Sequence, residues 1–283
     1  MLAVLGGLGA AAAWSISTLC SSRSSRMMEP MAVVALVMVV GLVITAPIAA
    51  IHGVPSFSGE SLTWLVISGA GNVAGLVLTY NAFRIGQVAL VAPLVSTEGA
   101  IAALIALLAG ESLSPGVGLA LAVIAIGVCL SAVPESVENE RRLLRSHPAA
   151  VAFALGAAVL FGTSLYATGR AGATLPSSWV VLSARLIGTV ALAIPLALAG
   201  RLHVVARAVP LVIAAGICEV LGFYSYTAGA RHGIAVAAVL SSQFATIAAV
   251  VAYFLFNDRL SRVQLLGVSS VIVGVALLSA LRA

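Results

Sequence analysis

Residues 84–131 decide the fold, and they read RIGQVALVAPLVSTEGAIAALIALLAGESLSPGVGLALAVIAIGVCLS. The polar turn at residues 110–114, GESLS, separates two apolar runs in this stretch. A turn of the same kind, NDRLS at residues 257–261, stands between two apolar runs near the other end of the chain. Their acidic residues, Glu111 and Asp258, are 147 positions apart. Most of the sequence repeats itself at this offset.

The composition indicates a membrane protein. The 283 residues are 61% hydrophobic and 8% charged, with a mean hydropathy of +1.17. A soluble domain carries roughly 25% charged residues, so this chain cannot cover a water-exposed surface. The net charge of +5 comes from arginines scattered at segment ends, which is typical of juxtamembrane anchoring and not of nucleic-acid binding. We therefore expect the lipid bilayer, and no nucleic acid, as a partner.

The apolar runs have the length of transmembrane helices. About 20 apolar residues cross the hydrocarbon core of a bilayer, which is about 30 Å thick. On this measure the sequence predicts an all-α integral membrane protein with ten transmembrane helices, at residues 2–20, 31–51, 62–83, 88–109, 115–133, 149–169, 178–199, 208–230, 235–256 and 263–281. The first run has no basic residues before it, so we expect a retained helix and not a cleaved signal peptide.

The offset divides the chain into residues 1–133 as a first five-helix repeat, 134–148 as a polar linker and 149–283 as a second repeat. Arginines, turn glycines and acidic residues pair in one register: Arg23 with Arg170, Gly41 with Gly188, Gly75 with Gly222, Arg84 with Arg231, Gly86 with Gly233 and Glu111 with Asp258. Five helices is an odd number, so the second repeat must enter the membrane from the opposite side. Inverted-topology repeats are typical of secondary transporters with a site near the membrane midplane.

The chain resembles the drug/metabolite transporter superfamily, in its ten-helix EamA-type branch. The resemblance rests on residues 14–17, WSIS, on Pro93, and on the two acidic turns, which are followed by Gly-Val pairs at residues 127–128 and 274–275. The second repeat departs from it, with Phe161 where the first has Trp14. Members of this superfamily are secondary carriers, many of them exporters of amino acids, drugs or other small metabolites. The resemblance implies an exporter in a bacterial cytoplasmic membrane.

Three ionisable residues lie within predicted helices, where a charge is costly and normally faces a cavity or a partner: Glu98, Arg185 and Glu219. Glu98 is expected in the middle of the fourth helix. Burial disfavours its charged form, so Glu98 could bind and release a proton. The alternative is a protonated side chain that is hydrogen-bonded to a neighbouring helix.

Glu219 lies in register with Asn72 of the first repeat and shares a helical stripe with Phe223 and Tyr226. A carboxylate beside aromatic rings suits an amine or an organic cation, whereas ordinary helix packing is the other interpretation of the stripe. Arg185 has three possible roles: its side chain extends to the interface, it pairs with Glu98 or Glu219, or it holds a substrate carboxylate.

Three neutral side chains complete the predicted site: Trp14, Asn72 and Gln243. Each either lines the site or serves helix packing and interhelical hydrogen bonding. The sequence contains none of the common hydrolase, metalloprotease or nucleotide-binding motifs, so we expect neither an enzyme nor a cofactor or metal.

Two arguments about orientation disagree. With both termini on one side, ten arginines fall in connections on the opposite side and three on the terminal side. The positive-inside rule therefore places the termini outside the cell. The resemblance implies cytoplasmic termini.

These observations predict a multi-pass secondary active transporter that exports a small metabolite by alternating access, with proton coupling through Glu98 or Glu219. Two carboxylates and one arginine favour amino acids, amines or drug-like cations over phosphorylated anions. A passive channel or facilitator is the alternative, and a membrane-embedded enzyme or sensor is less favoured. We expect a monomer or a homodimer.

Overall fold

The computed structural model describes residues 1–85, 91, 94–131, 148–244, 246–247, 251 and 262–282. Every regular element in this part of the chain is helical. Some sequence features lie outside the described residues, so their predictions stay predictions: Pro93, residues 134–147 of the linker, and the second acidic turn with Asp258.

Each predicted span contains a helix in the described residues. The bounds are α1 Leu2–Ser24, α2 Pro30–Ile51, α3 Gly59–Ile85, α4 Glu98–Leu108, α5 Pro115–Ser131, α6 Pro148–Thr174, α7 Ser177–Leu198, α8 Val209–Ala230, α9 Ile234–Ser241 and α10 Arg262–Arg282. Proline is the first residue of α2, α5 and α6. It fits there because the first turn of a helix does not need its N–H groups for internal hydrogen bonds.

Six of these helices, α1, α2, α3, α6, α7 and α8, are long and apolar enough to cross a membrane. They make the chain a multi-pass integral membrane protein. The described apolar segments of the fourth, fifth and tenth spans are shorter: Glu98–Leu108, Pro115–Leu130 and Arg262–Leu278. The count of ten transmembrane helices therefore remains a prediction.

The fourth and ninth spans are interrupted, and the prediction of continuous helices there is wrong. A turn at residues 96–97 precedes α4, and a turn at residues 242–243 follows α9. Hydroxyl groups accompany both turns: Thr97 donates to the Leu94 carbonyl at 2.7 Å, and Ser242 donates to the Val239 carbonyl at 2.9 Å. Such local side-chain bonds compete with the helical ladder and bend helices. As a result Glu98, which was expected in mid-helix, is the first residue of α4.

Helix α7 contains a π-helical turn, Thr189–Ala193, one turn after Arg185. Pro195 follows this turn, and it cannot donate the backbone hydrogen bond that a regular α-helix requires. A π turn absorbs such an interruption without ending the helix, which continues to Leu198.

The helices pack in a pattern that is unchanged when the two halves of the chain are exchanged. The largest interfaces are α1 with α8 and α3 with α6, which correspond to each other under the exchange. Helices α2 and α7, α4 and α9, and α5 and α10 each pack against their own counterpart. Consequently α1, α3, α4, α6, α8 and α9 surround the centre of the molecule.

Glycines permit the closest approaches in this packing. A Cβ atom added at Gly6 in α1 would lie 2.4 Å from the Cα of Gly229 in α8. Added at Gly99 in α4, it would lie 2.5 Å from the Ala238 carbonyl oxygen of α9. Close backbone approach through small residues is the usual basis of helix association in membranes.

Candidate substrate-binding site

One face of α8 carries the aromatic part of the site. Phe223 and Tyr226 are both buried, and both rings contact the indole of Trp14 in α1, at centroid distances of 5.2 Å and 6.1 Å. The Tyr226 hydroxyl donates to the Leu165 carbonyl of α6 at 2.9 Å. The predicted stripe on α8 therefore faces the interior and joins three helices.

Trp14 is held in place by a glycine. A Cβ atom at Gly222 would lie 2.3 Å from Trp14 Nε1, so only a glycine leaves room for the indole edge. The contact explains why a tryptophan at this position of α1 can pack closely against α8.

Arg185 is the most buried charge in the site, with a relative accessibility of 0%. Its Nη2 lies 3.6 Å from Glu219 Oε1, and its guanidinium carbon lies 4.6 Å from the centre of the Phe223 ring. Its Nη1 contacts the Met38 sulfur of α2 at 3.2 Å. Of the three roles considered for Arg185, extension to the interface is wrong, and pairing with Glu219 is what the structure contains.

This arrangement also corrects the interpretation of the Phe223 ring. The sequence suggested that a substrate cation binds there, beside Glu219. In the structure Arg185 occupies that position, in the geometry of a cation–π contact. Glu219, whose side chain is 20% exposed, is therefore already paired with a cation of the protein itself.

Glu98 lies at the start of α4, which packs against α6 and α9. It is 7% exposed, and its carboxyl group lies within electrostatic range of that of Glu219. Its backbone carbonyl faces Gly162 of α6, where an added Cβ atom would be 2.9 Å away. A carboxylate at the first position of a helix interacts favourably with the helix dipole, which offsets part of the cost of burying its charge.

Several polar atoms of the predicted site are buried and have no hydrogen-bond partner in the described part of the chain. They are Trp14 Nε1, Asn72 Nδ2, Gln243 Oε1, and Nε and Nη2 of Arg185. Polar atoms without partners are rare in protein interiors, because each one costs roughly 1–3 kcal/mol. A polar ligand that enters the site can supply the missing partners.

The seven predicted site residues are not all brought together by direct contacts. Trp14 contacts Tyr226, Arg185 pairs with Glu219, and the Phe223 ring connects Trp14 to Arg185. Glu98 is in electrostatic range of Glu219. Asn72 in α3 and Gln243 after α9 are 7% and 1% exposed. Within the described residues, no hydrogen bond, ion pair or ring contact joins these two side chains to the others.

The sequence prediction does not include Gly222, which lies beneath Trp14, or Met38, which contacts Arg185. It places Phe223 on the correct stripe of α8 but does not indicate that the ring lies beneath Arg185. Met38 could have been found from the repeat, because it stands 147 positions before Arg185. The contact of Gly222 with Trp14 depends on tertiary packing, and its only signal in the sequence was its pairing with Gly75. Among the described residues there is no group of side chains that could hold a metal ion.

A helical bundle with several membrane-spanning helices and a buried ion pair defines a multi-pass membrane protein with an intramembrane polar site. The sequence model of the EamA-like transporter family matches residues 1–133 and 148–280, so the chain belongs to this family. The protein is accordingly a membrane transporter of the drug/metabolite type. Members of the family are transporters and not enzymes.

A crystal structure of a protein that is 19% identical aligns with a TM-score of 0.79, over 99% of this chain and 97% of the other. At this identity the similarity concerns the fold alone. No curated protein matches the chain in sequence.

Proposed function

We propose that the protein is a secondary active transporter that exports a small metabolite by alternating access, with its substrate site between α1, α4, α7, α8 and α9. The observation that carries the proposal is the set of buried polar atoms without hydrogen-bond partners among the described residues, at Trp14, Asn72, Arg185 and Gln243. A stable core would satisfy these groups, whereas a substrate site needs them free for the substrate.

The repeat supports alternating access. The family's sequence model matches twice, on residues 1–133 and 148–280, and the helix pairs are unchanged when the halves are exchanged. We propose that the two halves are inverted repeats of five transmembrane helices each. The interruptions at residues 96–97 and 242–243 lie at nearly equivalent positions of the two halves. Broken helices in corresponding positions mark the binding site in other transporters that are built from inverted repeats.

The proposed substrate carries both acceptor and donor groups. Within the described residues, Trp14 Nε1 and Arg185 Nε have no hydrogen-bond partner and need an acceptor, such as a carboxylate or a carbonyl, and Gln243 Oε1 needs a donor. Amino acids and other small polar metabolites meet both requirements. A simple lipophilic cation does not, because Arg185 already covers the Phe223 ring.

Glu98 is the proposed site of proton coupling. It is buried, it has no carboxylate counterpart in the other half, and it lies near the negative charge of Glu219. Protonation of Glu98 removes the repulsion between the two carboxylates. The proton on Glu98 and the pairing of Glu219 are thus linked through one electrostatic interaction.

The test is transport in proteoliposomes, with a panel of radiolabelled amino acids and amines and an imposed pH gradient. We expect saturable uptake that the gradient accelerates, and loss of that acceleration in Glu98→Gln. Glu219→Gln should weaken uptake with and without the gradient, because it removes the partner of Arg185. Gradient-driven uptake that is unchanged in both variants would contradict the carboxylate mechanism. Flux that does not saturate would indicate a channel.

A further inference from the structure

A cavity lies away from the buried site, at the end of the bundle that carries both termini. Its volume is about 240 Å³, it is open on one side, and it is lined by the C-terminal ends of α4 and α6 and by the start of α9. The lining combines small residues at the C-terminal end of α4 with three side chains that can form ionic contacts or hydrogen bonds: Glu111, Tyr166 and Arg170. None of these three belongs to the substrate site described above.

Arg170 supplies the positive charge of the cavity. Its Nη2 donates to Glu60 Oε1 at 3.0 Å, and its guanidinium carbon lies 5.5 Å from the centre of the Trp64 ring. A guanidinium has five N–H donors, and the Arg170 side chain is 40% exposed. The contacts with Glu60 and Trp64 hold the group in place while donors remain accessible to a ligand.

Tyr166 forms a rigid wall beside it. The residue is only 6% exposed, and its ring packs edge-on against Trp64 at a centroid distance of 5.6 Å. Its hydroxyl can both donate and accept a hydrogen bond. A buried aromatic wall and a fixed guanidinium give the cavity a defined shape before any ligand arrives.

Glu111 supplies the negative charge of the cavity. Its carboxylate accepts hydrogen bonds from the backbone N–H groups of Ile234 and Ala235, at distances from 3.1 to 3.3 Å. It thereby caps the start of α9, so its position is fixed although it belongs to a loop. The cavity therefore presents charges of both signs at fixed positions.

The side chains around Arg170 are not repeated in the sequence of the other half. In the register of the repeat, Tyr166 corresponds to Leu19, Trp64 to Leu211, and Glu60 to Arg207. The sequence of the other half therefore has neither the aromatic residues nor the acidic partner at these positions. The cavity is also separate from Glu98, because eight to eleven residues of α4, or roughly 12–17 Å at 1.5 Å per residue, lie between them.

We propose that this cavity is a second binding site, and that it takes a small zwitterion whose carboxylate lies on Arg170 and Tyr166 and whose ammonium group faces Glu111. A ligand with charges of both signs can pair with both Arg170 and Glu111. A simple anion would be repelled by Glu111 and Glu60, and a simple cation would be repelled by Arg170.

The test uses Trp64 as a local reporter, in the full-length protein in detergent and without any gradient. Trp14→Phe and Trp179→Phe leave Trp64 as the only tryptophan, and its fluorescence is titrated with glycine, acetate and methylammonium at constant ionic strength. We expect a saturable change with glycine, and an affinity at least 10-fold weaker for the other two ions. Arg170→Gln should weaken glycine binding at least 10-fold, and Tyr166→Phe, which keeps the ring against Trp64, should weaken it less.

Glu98→Gln is the matched control, and it should leave the titration unchanged. The proposal is overturned if no probe gives a saturable change, if acetate or methylammonium binds as well as glycine, or if Arg170→Gln has no effect. It is also overturned if Glu98→Gln abolishes the signal, since the response would then come from the central site. Because the assay needs no transport, its failure is distinguishable from failure of the proposed carrier function.

Discussion

Trp14 and Phe161 occupy the same position in the two halves of the chain, and each ring rests on a glycine of the partner half. A Cβ atom at Gly222 would lie 2.3 Å from Trp14, and one at Gly75 would lie 2.7 Å from Phe161. The backbone arrangement is thus repeated.

The surroundings of the two rings differ. Phe161 packs with Leu78 and Leu94 in an apolar cluster. Trp14 instead contacts Phe223, which carries the guanidinium of Arg185. Glycines and helix pairs are therefore repeated in both halves, whereas the charged and polar side chains lie next to only one of the two rings.

Arg185 and Met38 show the same principle within one contact. They are equivalent in the repeat, they touch each other, and each lies against a glycine of the other's helix, Gly41 or Gly188. One half places a charge at this contact where the other places a thioether. The partner of the charge, Glu219, stands opposite Asn72 in the same register.

The largest expected effect comes from breaking the ion pair, which only one half possesses. Glu219→Asn installs the residue of the first half and leaves Arg185 buried without a counter-charge. We expect a loss of about 3–5 kcal/mol in unfolding free energy, as is usual when one partner of a buried pair is removed. Chemical unfolding of the purified protein in lipid nanodiscs measures it.

Arg185→Met is the matched variant, and it should cost less. The Glu219 side chain that remains is 20% exposed, whereas the Arg185 side chain that remains in Glu219→Asn is fully buried. Equal losses in the two variants would mean that the pair does not govern the stability of this region.

An intermediate effect is expected from the two glycines beneath the aromatic rings. Gly222→Ala and Gly75→Ala should each cost about 1–3 kcal/mol, because a methyl group is forced into a filled space. Only Gly222→Ala should also weaken substrate transport, since it displaces Trp14. Gly118→Ala, where an added Cβ meets nothing within 4 Å, is the control. Equal transport defects in Gly75→Ala and Gly222→Ala would mean that the surroundings of both rings take part in transport, which contradicts the prediction.

The smallest expected effect concerns the acidic turn. Glu111→Ala removes the cap of α9 and should cost about 1 kcal/mol, the usual value for a helix N-cap. Hydrogen exchange at Ile234 and Ala235 should accelerate, because their N–H groups lose their acceptor. Glu111→Gln retains one acceptor oxygen and should show a smaller acceleration. Unchanged exchange in Glu111→Ala would contradict the capping role.

Much of the scaffold could be predicted from the sequence, because apolar length and the 147-residue offset are properties of the chain alone. The bounds of α2 and α7 lie within one residue of the predicted spans. The turn before Glu98 escaped prediction, because hydropathy does not reveal that Ser96 and Thr97 interrupt an apolar run. Helical periodicity indicated that Glu219 and Phe223 share a face. It could not show that Arg185 of another helix fills the space between them.

Only one half of the repeat carries the charged pair, and a double variant removes this difference between the halves. The double variant Arg185→Met with Glu219→Asn gives the second half the residues that the first half has at Met38 and Asn72. We predict that the double variant regains most of the stability that Glu219→Asn loses, because no buried charge is left without a partner. We also predict that it fails to transport in proteoliposomes. A double variant that is less stable than both single variants would show that the unpaired charge does not cause the loss of stability. A double variant that transports like the unmodified protein would show that the charged pair is not needed for transport.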